Sequence, residues 1–200
     1  MSLSRLLKKW NTPIGEIGAY LDGLEPGPRV LEVRGLSFLQ QAMLYSRAAT
    51  AEPISMEHFV PSGVHDLSEV IHHGKNSFPV LSRFQKRFCR AGDGSGRLFG
   101  YNEGVTKNVL GPGFFVVHET SRNRAWYERG AVVIDYFVVP DANVPGHWPR
   151  VVPNTVGLQR FVYAGTRDFM RAVSRHVSVG RAYKKETPLP AYFVLCRDGS

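Results

Sequence analysis

Two segments of this chain carry apolar side chains on both faces of an extended backbone, and few folds can accommodate that. In residues 113–120, Phe114 and Val116 alternate with Phe115 and Val117; in 131–139, Val132 and Ile134 alternate with Val133 and Phe137. Successive side chains of a strand point to opposite sides of its sheet, so both sides of these strands must be covered. The covers available are helices on one side and, on the other, either the same sheet curling on itself or a second copy of the chain. The expected fold class is therefore α+β, with a mainly helical N-terminal half packed on a curved, mostly antiparallel sheet or partial barrel formed by the C-terminal half. A homodimer is the alternative source of cover.

The rest of the chain divides by periodicity. With 200 residues, enough for one domain with a shared core, residues 1–200 are expected to form a single domain, mainly helical over 1–92 and mainly strand over 93–200. In the first part, Leu3, Leu6, Leu7 and Trp10 make one stripe opposite Arg5, Lys8 and Lys9. Thr12–Pro13 starts a helix with Ile14, Ile17 and Leu21 on one side and Gly23 at its end. Ser37 caps a third, through Phe38, Leu39, Ala42, Met43 and Tyr45. Ser77 and Pro79 open a fourth, with Leu81, Phe84 and Phe88 inside and Lys86, Arg87 and Arg90 gathered where the helix dipole favours cations. Strands are expected over 97–101, 113–120, 131–139, 158–163, 177–183 and 192–197, with one helix near 166–176 capped by Thr166.

Composition enters through charge. The chain holds 25 Lys and Arg against 17 Asp and Glu, a formal +8. The excess lies in residues 75–129, with ten cations against four acids, and in 159–185, with seven against Asp168 alone. Such a surface suits anionic partners, but basic faces are commonly just solvated. No apolar run reaches the ~20 residues of a membrane-spanning helix, and MSLSRLLKKW lacks a signal peptide's apolar core, so a cytoplasmic protein without a transmembrane segment is expected. The two cysteines, Cys89 and Cys196, form no metal-ligand spacing. Cys196 belongs to an apolar run. Cys89, beside Lys86, Arg87 and Arg90, has cations that would favour thiolate, yet it falls on the apolar side of the expected helix.

Several side chains are candidates for chemistry. His118 and Asp135 are polar positions inside apolar strands, and if those strands are hairpin neighbours the two can meet, as a carboxylate orienting an imidazole. They are the catalytic candidates. His65, Glu69 and His72 would share a face if 64–73 is helical, which suits a divalent metal geometrically; Val64, Leu67, Val70 and Ile71 as a buried side leave them simply solvated, and neither metal nor cofactor is expected. The proline-rich segment 140–157 is long for a loop, and its Trp148 either covers a ligand or pins the segment to the core. The Gly-rich stretch 91–104 opens no helix and is a hairpin turn rather than a phosphate cradle.

These features lead to a first expectation: a small, largely apolar molecule with an anionic head, bound in a cavity of the curved sheet by Tyr101, His118, Asp135, Trp148, Arg160, Tyr163 and Arg175. The alternatives are an enzyme using His118 and Asp135 in the same pocket, and a nucleic-acid module stacking bases on Tyr101, Trp126 and Tyr127.

Overall fold

The computed structural model describes residues 1–77, 82–105 and 107–199. Its centre is an eight-stranded closed barrel in which every strand pairs with its neighbours in the chain and the last closes on the first. The strands are β1 (Val70–Asn76), β2 (Arg83–Arg90), β3 (Leu98–Glu103), β4 (Phe115–Glu119), β5 (Val132–Asp135), β6 (Thr166–Ala172), β7 (Val177–Lys184) and β8 (Thr187–Arg197). All pairings are antiparallel. Closure removes the sheet edges and supplies the inner cover that the doubly apolar strands require.

The chain opens with α1 (Leu3–Lys8), α2 (Ile14–Asp22), α3 (Pro26–Arg34) and α4 (Phe38–Arg47). They form the outer cover. Leu3, Leu6, Leu7, Ile17, Leu21, Val33 and Leu44 share a core with Val177, Val179, Val194 and Cys196 on the outside of β7 and β8. The N-terminal stripe thus docks on the protein's own core, except that Trp10, beyond the end of α1, is 90% exposed. Ser37 caps α4 in a reciprocal box with Gln40, but the buried side is Gln41, Leu44 and Tyr45, while Phe38, Leu39 and Met43 face outward. Thr12 does not cap α2; its hydroxyl donates to the Leu6 carbonyl.

Three expected elements change type, and residues 64–73 are not the helix that the metal candidates would need: β1 starts at Val70. The helix expected from Ser77 has Pro79 and Leu81 outside the described residues, and its remainder is β2. The helix near 166–176 is β6, and 158–163 holds a short helix, α8 (Gln159–Val162), instead of a strand. The differences over 77–90 and 166–176 have one cause. Phe84 and Phe88, or Phe169 and Val173, stand four residues apart, a spacing that shares a face in a helix and in a strand alike. The strand-rich part therefore begins near residue 70, not 93.

Inside the barrel, Phe88, Leu98, Phe115, Val117, Val132, Ile134, Met170 and Leu195 fill the lower part, and Phe59 and Val60, at the end of α5 (Met56–Phe59), join them from below. Three inward glycines each face an aromatic ring across the ladder: Gly74 opposite Phe84, Gly100 opposite Phe115, Gly180 opposite Phe193. A Cβ on Gly180 would lie 2.3 Å from the Phe193 ring, so the bare backbone is what lets that ring lie against the wall. Because two of these rings belong to the upper end, space is left there.

Candidate functional site

The space is a cavity of about 210 Å³ at the end of the barrel where β1, β3 and β5 finish and β2, β6 and β8 begin. Its walls include Phe84, Phe193, Tyr163, Ala182 and Leu189. Two short helices, α6 (Lys107–Leu110) and α8, contribute Lys107 and Val162 to its rim. Around that rim Val109, Leu158, Phe161 and Val162 are exposed.

The floor is polar. Lys86 of β2, Asn102 of β3 and Asp168 of β6 are inward-pointing and buried, and Tyr136 follows directly on β5. Lys86 Nζ lies 3.3 Å from Asp168 Oδ2, donates to Asn102 Oδ1 at 2.9 Å, and contacts the Tyr136 hydroxyl. Asn102 in turn donates to the Gly113 carbonyl at 3.0 Å. The rings of Phe84, Phe115, Tyr136 and Phe193 surround Nζ at 4.9–5.7 Å. Burial lowers the affinity of Lys86 for its proton and Asp168 opposes that shift; burial raises Asp168, with Lys86 opposing. The two values move toward each other. Tyr136, stacked on Tyr163 at 5.2 Å, is raised well above the ordinary phenol range by burial and by Asp168.

The sequence candidates are dispersed through the molecule. Of the seven ligand-binding candidates, Tyr163 lines this cavity. His118 and Asp135 do meet, at 3.6 Å, as strand neighbours β4 and β5. They meet on the outside of the barrel, however, because Asp135 pairs in register with Val116 and Arg167, both outward-facing. Asp135 accepts from Arg167 Nε at 2.9 Å and from the Phe137 amide at 2.8 Å. Burial works to raise its carboxyl, but the hydrogen bonds from His118, Arg167 and Phe137 outweigh it and hold the group below its ordinary value. The niche is a brace: Asp135→Ala is expected to lower stability by about 2–3 kcal/mol in urea unfolding, since it strips partners from a guanidinium and a backbone amide. His118→Ala, at a half-exposed site, is expected to cost under about 1 kcal/mol.

Tyr101 and Trp148 lie on another outer wall, ring centroids 5.0 Å apart, where Trp148 Nε1 donates to Glu69 at 2.7 Å and holds the 140–157 segment down. Arg160 is exposed on α8, and Arg175 is exposed beside Asp22 on the β6–β7 turn. The candidate metal trio is dispersed, because β1 stands where the trio would need a helix: His65 is exposed, Glu69 pairs with Arg87, and His72 is buried inside the barrel. Among the described residues no group of three potential ligands assembles.

Cys89 points outward from β2 into a core with Phe99 and Trp148, while its neighbours Lys86 and Phe88 point inward. Burial, with help from the charge of Glu69, pushes its thiol up to about 12, so it is no thiolate. Of the expected stacking platforms, Tyr101 is buried and Trp126, in the short helix α7 (Arg124–Tyr127), packs edge-on against Phe169, leaving Tyr127 open. Much of the basic excess is engaged internally: Arg97 with Asp93 and Asp141, Arg167 with Asp135, and Arg171 with the carbonyls of Tyr45, Glu128 and Arg129. No helix among the described residues is long and apolar enough to cross a membrane.

Sequence reasoning missed Lys86, Asn102, Tyr136 and Asp168. A signal existed in the period-two pattern Phe84, Lys86, Phe88, which puts a lysine between two core aromatics. A second cleft, about 340 Å³, lies between residues 48–54 and 127–131, but its Arg171 is spent on backbone carbonyls and it has no comparable polar cluster.

Fold and cavity together define an eight-stranded antiparallel barrel with a charged pair under an open mouth. No family model, curated protein or solved structure matches the chain.

Proposed function

We propose that the protein binds a small, largely apolar molecule with an anionic head in the mouth of the barrel. The observation that carries this reading is the Lys86–Asp168 pair, buried with Tyr136 and Asn102 at the bottom of a cavity whose walls are otherwise mainly apolar. Buried ion pairs add little net stability compared with apolar packing, so their retention beside a cavity points to recognition. Charged groups lining the cavity are Arg83, Lys86 and Lys107 against Glu103 and Asp168, a surplus of one positive charge that suits a single carboxylate. In this reading residues 1–200 act as one domain, the helices bracing the wall of β7, β8 and β1. Two free, buried cysteines are in keeping with a reducing, cytoplasmic setting.

The test is thermal unfolding with octanoate and with 4-methylbenzoate. At about 100 times the dissociation constant a ligand adds about 2.7 kcal/mol, a rise of roughly 5–10 °C for a chain of this length. Ala182→Phe, which fills the cavity beside Asp168 and leaves the residues of the polar floor unsubstituted, is expected to abolish the rise. Octanoate and 4-methylbenzoate both leaving the melting temperature unchanged refutes the reading. A duplex oligonucleotide that binds with steep salt dependence, and competes with neither, would favour nucleic acid instead.

A further inference from the structure

Lys86 is the one buried lysine among the described residues, and it is the only amine on the cavity floor. Its surroundings differ from those of a lysine that merely closes a salt bridge. Four aromatic rings exclude water from Nζ, a carboxylate stands 3.3 Å away, and a phenol hydroxyl touches it, all beside open space large enough for a small molecule. A desolvated primary amine next to a proton carrier is the arrangement by which proteins capture carbonyl compounds.

We propose that Lys86 Nζ forms a reversible imine with an aldehyde or ketone bound in the barrel mouth, the ligand's carboxylate being held at the rim by Arg83. This rests on the cavity being a ligand site and adds the group that reacts. The nitrogen lone pair of the neutral amine forms the C–N bond while the carbonyl π pair moves onto oxygen, which takes up a proton to give the carbinolamine. That oxygen then leaves as water, carrying the two protons that Nζ began with, and the C=N bond remains. Nothing is oxidised or reduced, and hydrolysis reverses every step. Asp168 is placed to carry the protons between nitrogen and oxygen, and the Tyr136 hydroxyl to hold the oxygen as charge develops on it.

The groups facing Nζ agree with this. Asp168 from β6, Tyr136 after β5 and Asn102 from β3 surround it, and His72 is its cross-strand neighbour on β1. Burial drives the Lys86 ammonium to release its proton more readily than an exposed lysine, and drives Asp168 to hold one, so amine and acid coexist nearer neutrality. Each unit by which an amine's pKa falls raises its neutral fraction about tenfold. The four rings would also stabilise the iminium cation once formed.

The experiment uses the whole chain, 4-carboxybenzaldehyde and sodium cyanoborohydride at about pH 6.5, where exposed lysines are almost wholly protonated. Apart from the N-terminal amine, which reacts at this pH whatever the cavity does, peptide mapping is expected to show the reduced adduct on Lys86 at least about tenfold above Lys75, Lys107 or Lys184. Excess 4-methylbenzoate, which fits the same cavity but has no carbonyl, is expected to suppress it. Lys86→Arg should remove the adduct, with thermal unfolding showing that the variant is folded; the mapping of the unaltered chain decides the matter even if that variant does not fold. Label spread over exposed lysines with Lys86 unmodified, while 4-methylbenzoate still raises the melting temperature, overturns the imine and leaves the binding site standing. Absence of both the adduct and the 4-methylbenzoate effect overturns both.

Discussion

Asp168→Ala is expected to destabilise the protein by about 3–5 kcal/mol, the largest effect of any single substitution at the cavity. The reason is asymmetric. Lys86 has 2% of its surface exposed, so removing the carboxylate strands an ammonium in a dry site, where it must lose its proton or draw in water. Replacing both members with apolar residues of similar volume, as in Lys86→Met with Asp168→Leu, is expected to recover most of the loss, because the cost of stripping water from two charges disappears with them. Urea unfolding of the two single variants and the double variant checks this. Independent, additive losses would show that the pair is not coupled. The double variant should at the same time bind neither octanoate nor 4-methylbenzoate, which separates what the pair does for the fold from what it does for the ligand.

Acid is expected to weaken the fold from just beneath the cavity floor. His72, buried and donating from Nε2 to the Phe59 carbonyl at 3.0 Å, is pushed down by burial to about 3, and His58, 6.2 Å away between ring centroids, is also held well below 6.5 by burial and by His72 and Arg197. Well above pH 6.5 these imidazoles are neutral in both states and contribute no pH dependence. Below it the unfolded chain takes up protons that the folded chain refuses, so stability falls by about 1.4 kcal/mol per histidine per pH unit until the folded values are reached. Between pH 6.5 and 5 the loss from His72 is about 2 kcal/mol, and His58 adds to it in the same direction. His72→Gln, which keeps a donor for the Phe59 carbonyl, is expected to remove the His72 share of that slope. Melting temperatures across pH 5–7.5 provide the measurement, and a flat profile would show that both rings already accept protons in the fold. The carboxyl of Asp135, held low, adds to acid loss at lower pH, whereas Asp168, held high, works against it.

The N-terminal helices were legible because their starts are local. Pro13 and the Ser37–Gln40 box act within four residues, and the Leu3, Leu6, Leu7 spacing has no strand counterpart. α3 went unnoticed because PGPRVLEVR has weak apolar patterning and its buried positions include Arg29, whose guanidinium donates to the carbonyls of Leu21 and Leu24. β2 and β6 read as helices in the sequence because their four-residue apolar spacing is common to both periods. The Trp148 segment was readable as a strap, since a single tryptophan in a proline-stiffened loop has few other ways to bury its ring.

By itself the sequence determined that a doubly covered sheet with helices on one face was required, that His118 and Asp135 would meet if their strands were neighbours, and that the charge excess was positive. These follow from alternation and from adjacency along the chain, which are local. Only the tertiary structure decided which face of β5 looked inward, and hence that Asp135 braces the outer wall while Asp168, thirty-three positions later, reaches Lys86 across the interior. Inside and outside are properties of the closed barrel. The direction in which each strand's alternation runs is fixed only when all eight register together, and no stretch of the chain read alone contains that information.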